Sequence, residues 1–313
     1  MKLPRSSPIC IGMHQIELPG NAKASITSTY AGLRDRNAGS AQWSEVVSSL
    51  RSRAEHLKSS DSPRSARADA LYRAAGAKPE TAFANSRLVG FDVDGQRAVI
   101  AEHLDASAVF RIESHRVIDG RHFILEGKSS QASRYPAVRD GVLDTTTRYS
   151  PGTNAKQAPS DAFCASAGWF RLKNRQDVAG DAQLVVTFPD MPGVTFSLNL
   201  HGLAEPSREP PFAQRAARDL ADLSAAGGVV EPLQQGKREY GSQSGDLVAI
   251  AARSGDRADA KAYKYFWHAK GKVKDPYSPE IEAELTSDGR TPLEAAAIEN
   301  LWNGLMASFQ LRK

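Results

Sequence analysis

At 313 residues the chain is long for one domain and comfortable for two of about 150 residues each. Its 41% hydrophobic and 24% charged residues are those of a globular protein and exclude a disordered or collagen-like chain. The 40 basic and 36 acidic residues leave a net charge of only +4 and are interspersed, so the clustered basic footprint of a nucleic-acid binder is missing.

The opening "MKLPRSSPICIG" lacks the apolar core of a secretory signal, and "SSPIC" lacks the small residues of a lipoprotein cleavage site. Two expectations stay open: a cytoplasmic protein with a native Met1, or a mature form given a new one. Strand-like segments follow at Ile9 to Leu18, closed by Pro19-Gly20, and at Ala24 to Leu33. From Ser40 the pattern turns helical, with Trp43, Val46, Val47, Leu50 and Ala54 at three- and four-residue steps, and Arg64 to Ala75 is read as a further helical stretch. Four alternating runs come next, "SRLVGFDV", "QRAVIAEH", "AVFRIESHRV" and "HFILEGKSS". Asp94-Gly95 and Asp119-Gly120 join two pairs of them as hairpins, because Asp-Gly tolerates the positive φ of type I′ turns.

A short helix is expected within Tyr135 to Tyr149, and "SPGTNAKQAPSD" at 150–161 reads as a domain linker. Beyond it, "FCASAGWFRL", "DAQLVVTFP" and "GVTFSLNLH" read as strands, followed by a helix at Pro210 to Ala226. The strands "GDLVAIAAR", "AKAYKYFWHA" and "EIEAELTS" come after it. The longest apolar runs, such as "QLVVTF", fall far short of the roughly 18 residues a membrane-spanning helix needs. The last helix carries Ile298, Leu301, Trp302, Leu305, Met306 and Phe309 as one stripe, with Thr291 and Glu294 at capping-box spacing and Arg312 and Lys313 placed to complement its dipole.

Both halves thus read as strands, helix and antiparallel strands, which predicts an α+β fold of two similar domains, residues 1–149 and 162–313, joined by 150–161 and derived from an internal duplication.

No motif supplies a catalytic site. "GSQSG" places Gln243 where a nucleophile elbow needs serine. Asp92 and Asp94 lack the further ligands of a calcium loop and read as the solvated side of a hairpin. "GKREYG" lacks the spacing of a phosphate loop. The seven histidines show no metal-site spacing, although His103, His115 and His122 share the hairpin region and could meet. Cys10 and Cys164 sit among apolar and small residues, unlike activated thiols. They are either buried thiols or, in an oxidising compartment, a disulfide between the two opening strands that tethers the halves. No cofactor or metal is expected, and the pattern favours a binding protein over an enzyme.

Several stretches resemble one family: "FCASAGWF", "GKREYGSQSGDL", "KYFWHAKGKVKDPYSPEIEAEL" and the closing "TPLEAAAIENLWNGLMASFQLRK", with "CIGMHQIELPGNAKAS" in the first half. These are similar to the immunity proteins that neutralise type VI secreted phospholipase effectors. The resemblance implies two α+β domains and a periplasmic location. It also implies one-to-one binding to a cognate secreted lipase, blocking its access to phospholipid, with no reaction catalysed. Contact residues are expected on charged loops, Gly32 to Ser40 with Arg34 and Arg36, and Arg253 to Lys261 with Arg253, Asp256 and Arg257. The alternatives are a periplasmic hydrolase using His103, His115 or His122, and a small-ligand-binding protein with a deep apolar pocket.

Overall fold

The computed structural model describes residues 8–59, 87–103, 109–129, 134–152, 157–174, 180–207, 229–253 and 261–312. The helices expected at 64–75 and 210–226 lie outside them. The chain forms two compact units, a larger one of Met1–Tyr30 with Gly152–Lys313 and a smaller one of Ala31–Pro151. The second crossing, between Pro151 and Gly152, falls within the expected linker, but the opening segment belongs with the second half. Pairing is the reason: β3 (Lys23–Thr29) lies antiparallel to β12 (Asp181–Thr187) along its whole length, from Lys23 opposite Thr187 to Thr29 opposite Asp181. Strand pairing between distant segments leaves no local trace, so composition alone misplaces this boundary.

In the smaller unit five antiparallel strands stand in the order β4 (Arg34–Ser40), β8 (Arg121–Ser129), β7 (Phe110–Ile118), β6 (Arg97–His103), β5 (Arg87–Asp94). The expected loop Gly32 to Ser40 is therefore mostly strand; the turn lies just before it, at Ala31 and Gly32, both with positive φ. Asp119 and Gly120 adopt positive φ in the β7–β8 hairpin, as Asp-Gly allows. Helix α1 (Trp43–Ser59) packs Val46, Leu50, Ala54 and Leu57 onto Ala98 and Ile100. Helix α2 (Tyr135–Thr147) meets the opposite face, where Thr146 Oγ1 donates to Ser114 Oγ at 2.9 Å and Tyr135 Oη donates to Asp92 at 2.9 Å. Covered on both sides, β6 is buried from Ala98 to His103.

In the larger unit seven antiparallel strands run β14 (Val229–Tyr240), β15 (Gln243–Arg253), β16 (Lys261–Ala269), β17 (Glu280–Ser287), β13 (Val194–His201), β12, β3. One row across this sheet reads Ile26, Leu184, Leu198, Ala283, Trp267, Leu247 and Gly236; the adjacent row, on the other face, reads Thr27, Gln183, Asn199, Glu282, His268, Asp246 and Lys237. Side chains alternate across a strand, so one row faces the core and the next does not. Helix α3 (Ala295–Ser308) covers the apolar face with Ile298, Leu301, Trp302, Leu305 and Met306, each burial worth roughly 1.5–3 kcal/mol. Trp302 lies within ring contact of Phe196, Tyr240 and Tyr265.

Two short hairpins complete this unit: β1 (Ile9–Ile11) with β2 (His14–Ile16), and β10 (Ala162–Cys164) with β11 (Gly168–Arg171). Each had been expected as one strand. Gly12, at φ 53°, breaks the first, and its backbone exchanges two hydrogen bonds with Cys164 at 3.0 and 2.8 Å. That exchange brings Cys10 and Cys164 to a Cα separation of 5.7 Å, where they form a disulfide. The bond lies wholly inside the larger unit, because both hairpins do.

The expected end of the chain also differs. Glu294, extended at φ −70° and ψ 130°, is the N-cap of α3 with no side-chain cap hydrogen bond, so the Thr291–Glu294 box does not form. The helix stops at Ser308, and β18 (Gln310–Leu311) pairs with β2. Arg312 is buried instead of sitting on a helix end, its guanidinium donating to the carbonyl oxygens of Ala158, Pro159 and Ala162. Between α1 and α2 lies β5 to β8, and α2 is followed by the short β9 (Tyr149–Pro151).

Candidate functional site

The smaller unit carries a polar network on the face covered by α1. Arg53, on α1, donates to Glu102 on β6 and Glu113 on β7, both at 2.7 Å, and Arg111 pairs with the same two carboxylates. An ionised carboxylate only accepts, so the 3.2 Å contact between Glu113 and His115 fixes a proton on His115 Nε2. His115 Nδ1 meets His122 Nε2 at 3.0 Å.

Burial pushes the Glu113 carboxyl up, but hydrogen bonds from His115 and Arg53 outweigh it and hold the group at about 2. Burial lowers His122 to about 4, with His115 and Arg36 adding to the effect. The histidine is thereby neutral and the glutamate ionised at pH 7. Both are engaged by neighbours, an arrangement that fastens α1 to the sheet.

The register separates the three histidines considered together in the sequence. His115 lies opposite Ala98 on the α1 face, whereas His103 lies opposite Phe110 on the other face. Asp92 accepts from Tyr135 and faces Arg139 at 3.5 Å, and Asp94 pairs with Arg97, so neither is merely solvated. "GSQSG" is the tight β14–β15 turn, with Gly241 and Ser242 at positive φ, and the strand starts at Gln243.

In the larger unit His268 meets Glu280 at 2.8 Å and His201 meets Asp181 at 3.3 Å. His14 is stacked on Phe309 with ring centroids 4.9 Å apart, and neither ring nitrogen has a hydrogen-bond partner among the described residues. Burial, with the nearby Arg312 charge, lowers it to about 3. The hollow at Asp94, Gly95, Gln96, Arg97, Arg116 and Thr147, about 270 Å³, is polar and open to solvent. It differs from the enclosed apolar site that the small-ligand alternative requires.

Of the expected contact residues, Arg34 and Arg36 are exposed on β4 and Arg253 is exposed at the end of β15. Asp256 and Arg257 lie outside the described residues. Sequence reasoning missed the Arg53 network, because its members are 49 and 60 positions apart. It missed the buried Arg312 because a terminal arginine after a helix reads as surface.

Residues 158–313 match the family model described as Tle cognate immunity protein 4 C-terminal domain. No curated protein sequence matches the chain. Among solved structures, the apo immunity protein TplEi of the type VI secretion system from Pseudomonas aeruginosa is similar, at 16% identity and a TM-score of 0.77, over 98% of this chain and 97% of that one. A chain of the Tle4–Tli4 complex gives 16% identity and 0.76 over the same shares, and TplEi complexed with "L" peptide gives 18% and 0.69 over 98% of each chain. The resemblance read from the sequence is borne out. On residues 158–313 this chain carries the C-terminal domain of the Tle cognate immunity protein 4 family, and over its length it has the fold of the type VI secretion immunity protein TplEi.

Proposed function

We propose that this protein binds a cognate type VI secreted phospholipase effector, one to one, and blocks its access to phospholipid without catalysing a reaction. The observation that carries this reading is the family match at 158–313 together with a fold shared across 98% of the chain with TplEi. A periplasmic location is part of the proposal. The Cys10–Cys164 disulfide supports it, because such bonds persist in oxidising compartments. A hydrolase built on His103, His115 and His122 draws no support from their placement on opposite faces of one sheet.

We also infer that the two sequence halves descend from one duplicated unit. The order β4-β8-β7-β6-β5 in one sheet has the same form as β13-β17-β16-β15-β14 in the other, and α2 and α3 follow β8 and β17 in the same way. An opening hairpin with a cysteine or its counterpart strand precedes each series, at β1–β2 and at β10–β11.

The binding reading is tested with the secreted lipase encoded beside this gene. Light scattering of the mixed proteins is expected to give a one-to-one complex, and phospholipid hydrolysis is expected to stop as the protein reaches stoichiometry. A lipase that hydrolyses phospholipid at an undiminished rate in excess protein would sink it.

A further inference from the structure

The connection from β16 to β17, residues 270–279, is held by its own backbone. Lys272 N–H donates to Ser278 O at 2.7 Å, Asp275 N–H to Lys272 O at 3.3 Å, and Ser278 N–H to Asp275 O at 3.1 Å. Lys274 N–H reaches the carbonyl of Leu203 at 2.8 Å, and Tyr277 N–H donates to the Asp275 carboxylate at 3.1 Å. Pro276 and Pro279 are buried at its base. Gly271 lies against the backbone of Pro279 and Glu280, where a Cβ has no room. The loop is therefore a fixed object before anything meets it.

Its tip has an unusual surface. Lys270, Lys272 and Lys274 are exposed, and none of them has an ion pair among the described residues. The carboxylate within the loop, Asp275, is engaged by Tyr277 N–H. Between the lysines stands Val273, 40% exposed, one of three large hydrophobic residues exposed among those described. Lys274 adopts φ 57°, a left-handed conformation that a residue with a side chain holds only where the surroundings impose it. Three cations against the single charge of Asp275, around an apolar side chain and on a backbone already ordered, present a surface that lacks its complement.

We propose that Lys270, Lys272, Val273 and Lys274 form a docking finger for an acidic patch on the protein effector, with Val273 entering a shallow apolar site between carboxylates. The inference rests on the binding reading above and names the element that makes contact. Lysines at the rim speed association and depend on salt, while the apolar residue between them slows dissociation. A rigid loop loses little entropy on docking. A lipid surface is a poorer match, because membrane-inserting tips carry Trp, Phe or Leu and a lone valine buries little.

The test uses the full chain and the purified adjacent lipase, with binding rates measured at low and high salt. Two variants are compared with the parent: Lys270→Glu/Lys272→Glu/Lys274→Glu, and Val273→Asp alone. The triple change is expected to slow association about tenfold at low salt and to flatten its salt dependence. Val273→Asp is expected to speed dissociation about tenfold with association little changed. Circular dichroism melting curves matching the parent would exclude misfolding. If the parent binds and both variants bind as it does, the finger is solvated surface and the inference is overturned alone. If the parent itself does not bind, the binding reading falls and takes the inference with it. Variants that bind the lipase normally but lose affinity for anionic phospholipid vesicles would overturn it in favour of a lipid surface.

Discussion

In the smaller unit β6 lies between two helices, and in the larger unit β17 has α3 on one side only of its sheet among the described elements. Their sequences record the difference. "RAVIAEH" runs almost continuously into burial, whereas "EIEAELTS" alternates, with Ile281, Ala283 and Leu285 fully buried and Glu282 and Glu284 part-exposed. Charge follows the same division. On the covered face Glu102 and Glu113 each meet Arg53 and Arg111, because a carboxylate removed from water needs partners. On the more open face, Lys264–Glu284 at 3.3 Å and Lys237–Asp246 at 2.8 Å keep their hydration and contribute little. A strand therefore reports how many of its faces are covered, and its ion pairs report the same thing in another form.

The disulfide gives the largest test of that contrast, since it lies in the larger unit alone. Replacing Cys10 and Cys164 by Ser opens a connection between positions 154 residues apart, and about 4–5 kcal/mol of unfolding free energy is expected to be lost. Hydrogen exchange should localise the loss to β1, β2, β10 and the seven-stranded sheet; equal loss in β5 to β8 would break the comparison. Trp302→Ala removes the side chain at the centre of the singly covered face and should cost about 3–5 kcal/mol, read by chemical denaturation.

Acid sharpens the comparison. His14 is held neutral down to about 3, while an unfolded imidazole takes its proton near 6.5. Between those values the unfolded state binds more protons, so stability falls as pH falls, by about 1.4 kcal/mol per pH unit, until folded His14 itself protonates. In the smaller unit His122 gives the same sign over a window that closes near 4, weakened by its partial exposure. His14→Phe should flatten the acid slope of the larger unit, and a slope unchanged between pH 7 and pH 5 would show that His14 does not set it.

The smallest effects separate the two kinds of ion pair. Arg53→Met leaves Arg111 as the one arginine paired with two glutamates and should cost about 1–3 kcal/mol, reduced by the 31% exposure of the Arg53 side chain. Lys264→Met on the open face should change stability by under about 0.5 kcal/mol. Equal values for the two would remove the distinction between the covered and open faces.

Much of this architecture is legible where periodicity is strong. Helix α1 follows from Trp43, Val46, Leu50 and Ala54, and β12, β13, β16 and β17 follow from alternation, since each has one face in the core. β14 was missed because it is an edge strand with no continuous buried face, interrupted by a bulge at Pro232 to Gln234 and carrying Lys237, Arg238 and Glu239 before its last residue, Tyr240. The hairpin at Gly12 was missed because a positive φ at one glycine is invisible until its partner Cys164 is known. Candidate contact residues were legible only as charge: Arg34 and Arg36 proved to be strand residues, and the rigid 270–279 connection looked like any basic loop until its backbone bonds were seen.

The pairing of β18 with β2 sets an order of events in synthesis. Residues 31–151 contain every strand of the five-stranded sheet and can fold as soon as they are available, whereas the larger unit lacks its β2 partner until Gln310 and Leu311 have been made. β1 and β2 can pair with each other at once and β3 with β12 midway, so only the third strand of the small sheet is added last. The Cys10–Cys164 bond and the β2–β18 pairing thus join the first and last described strands of the larger unit, so its closure is the final step of its folding.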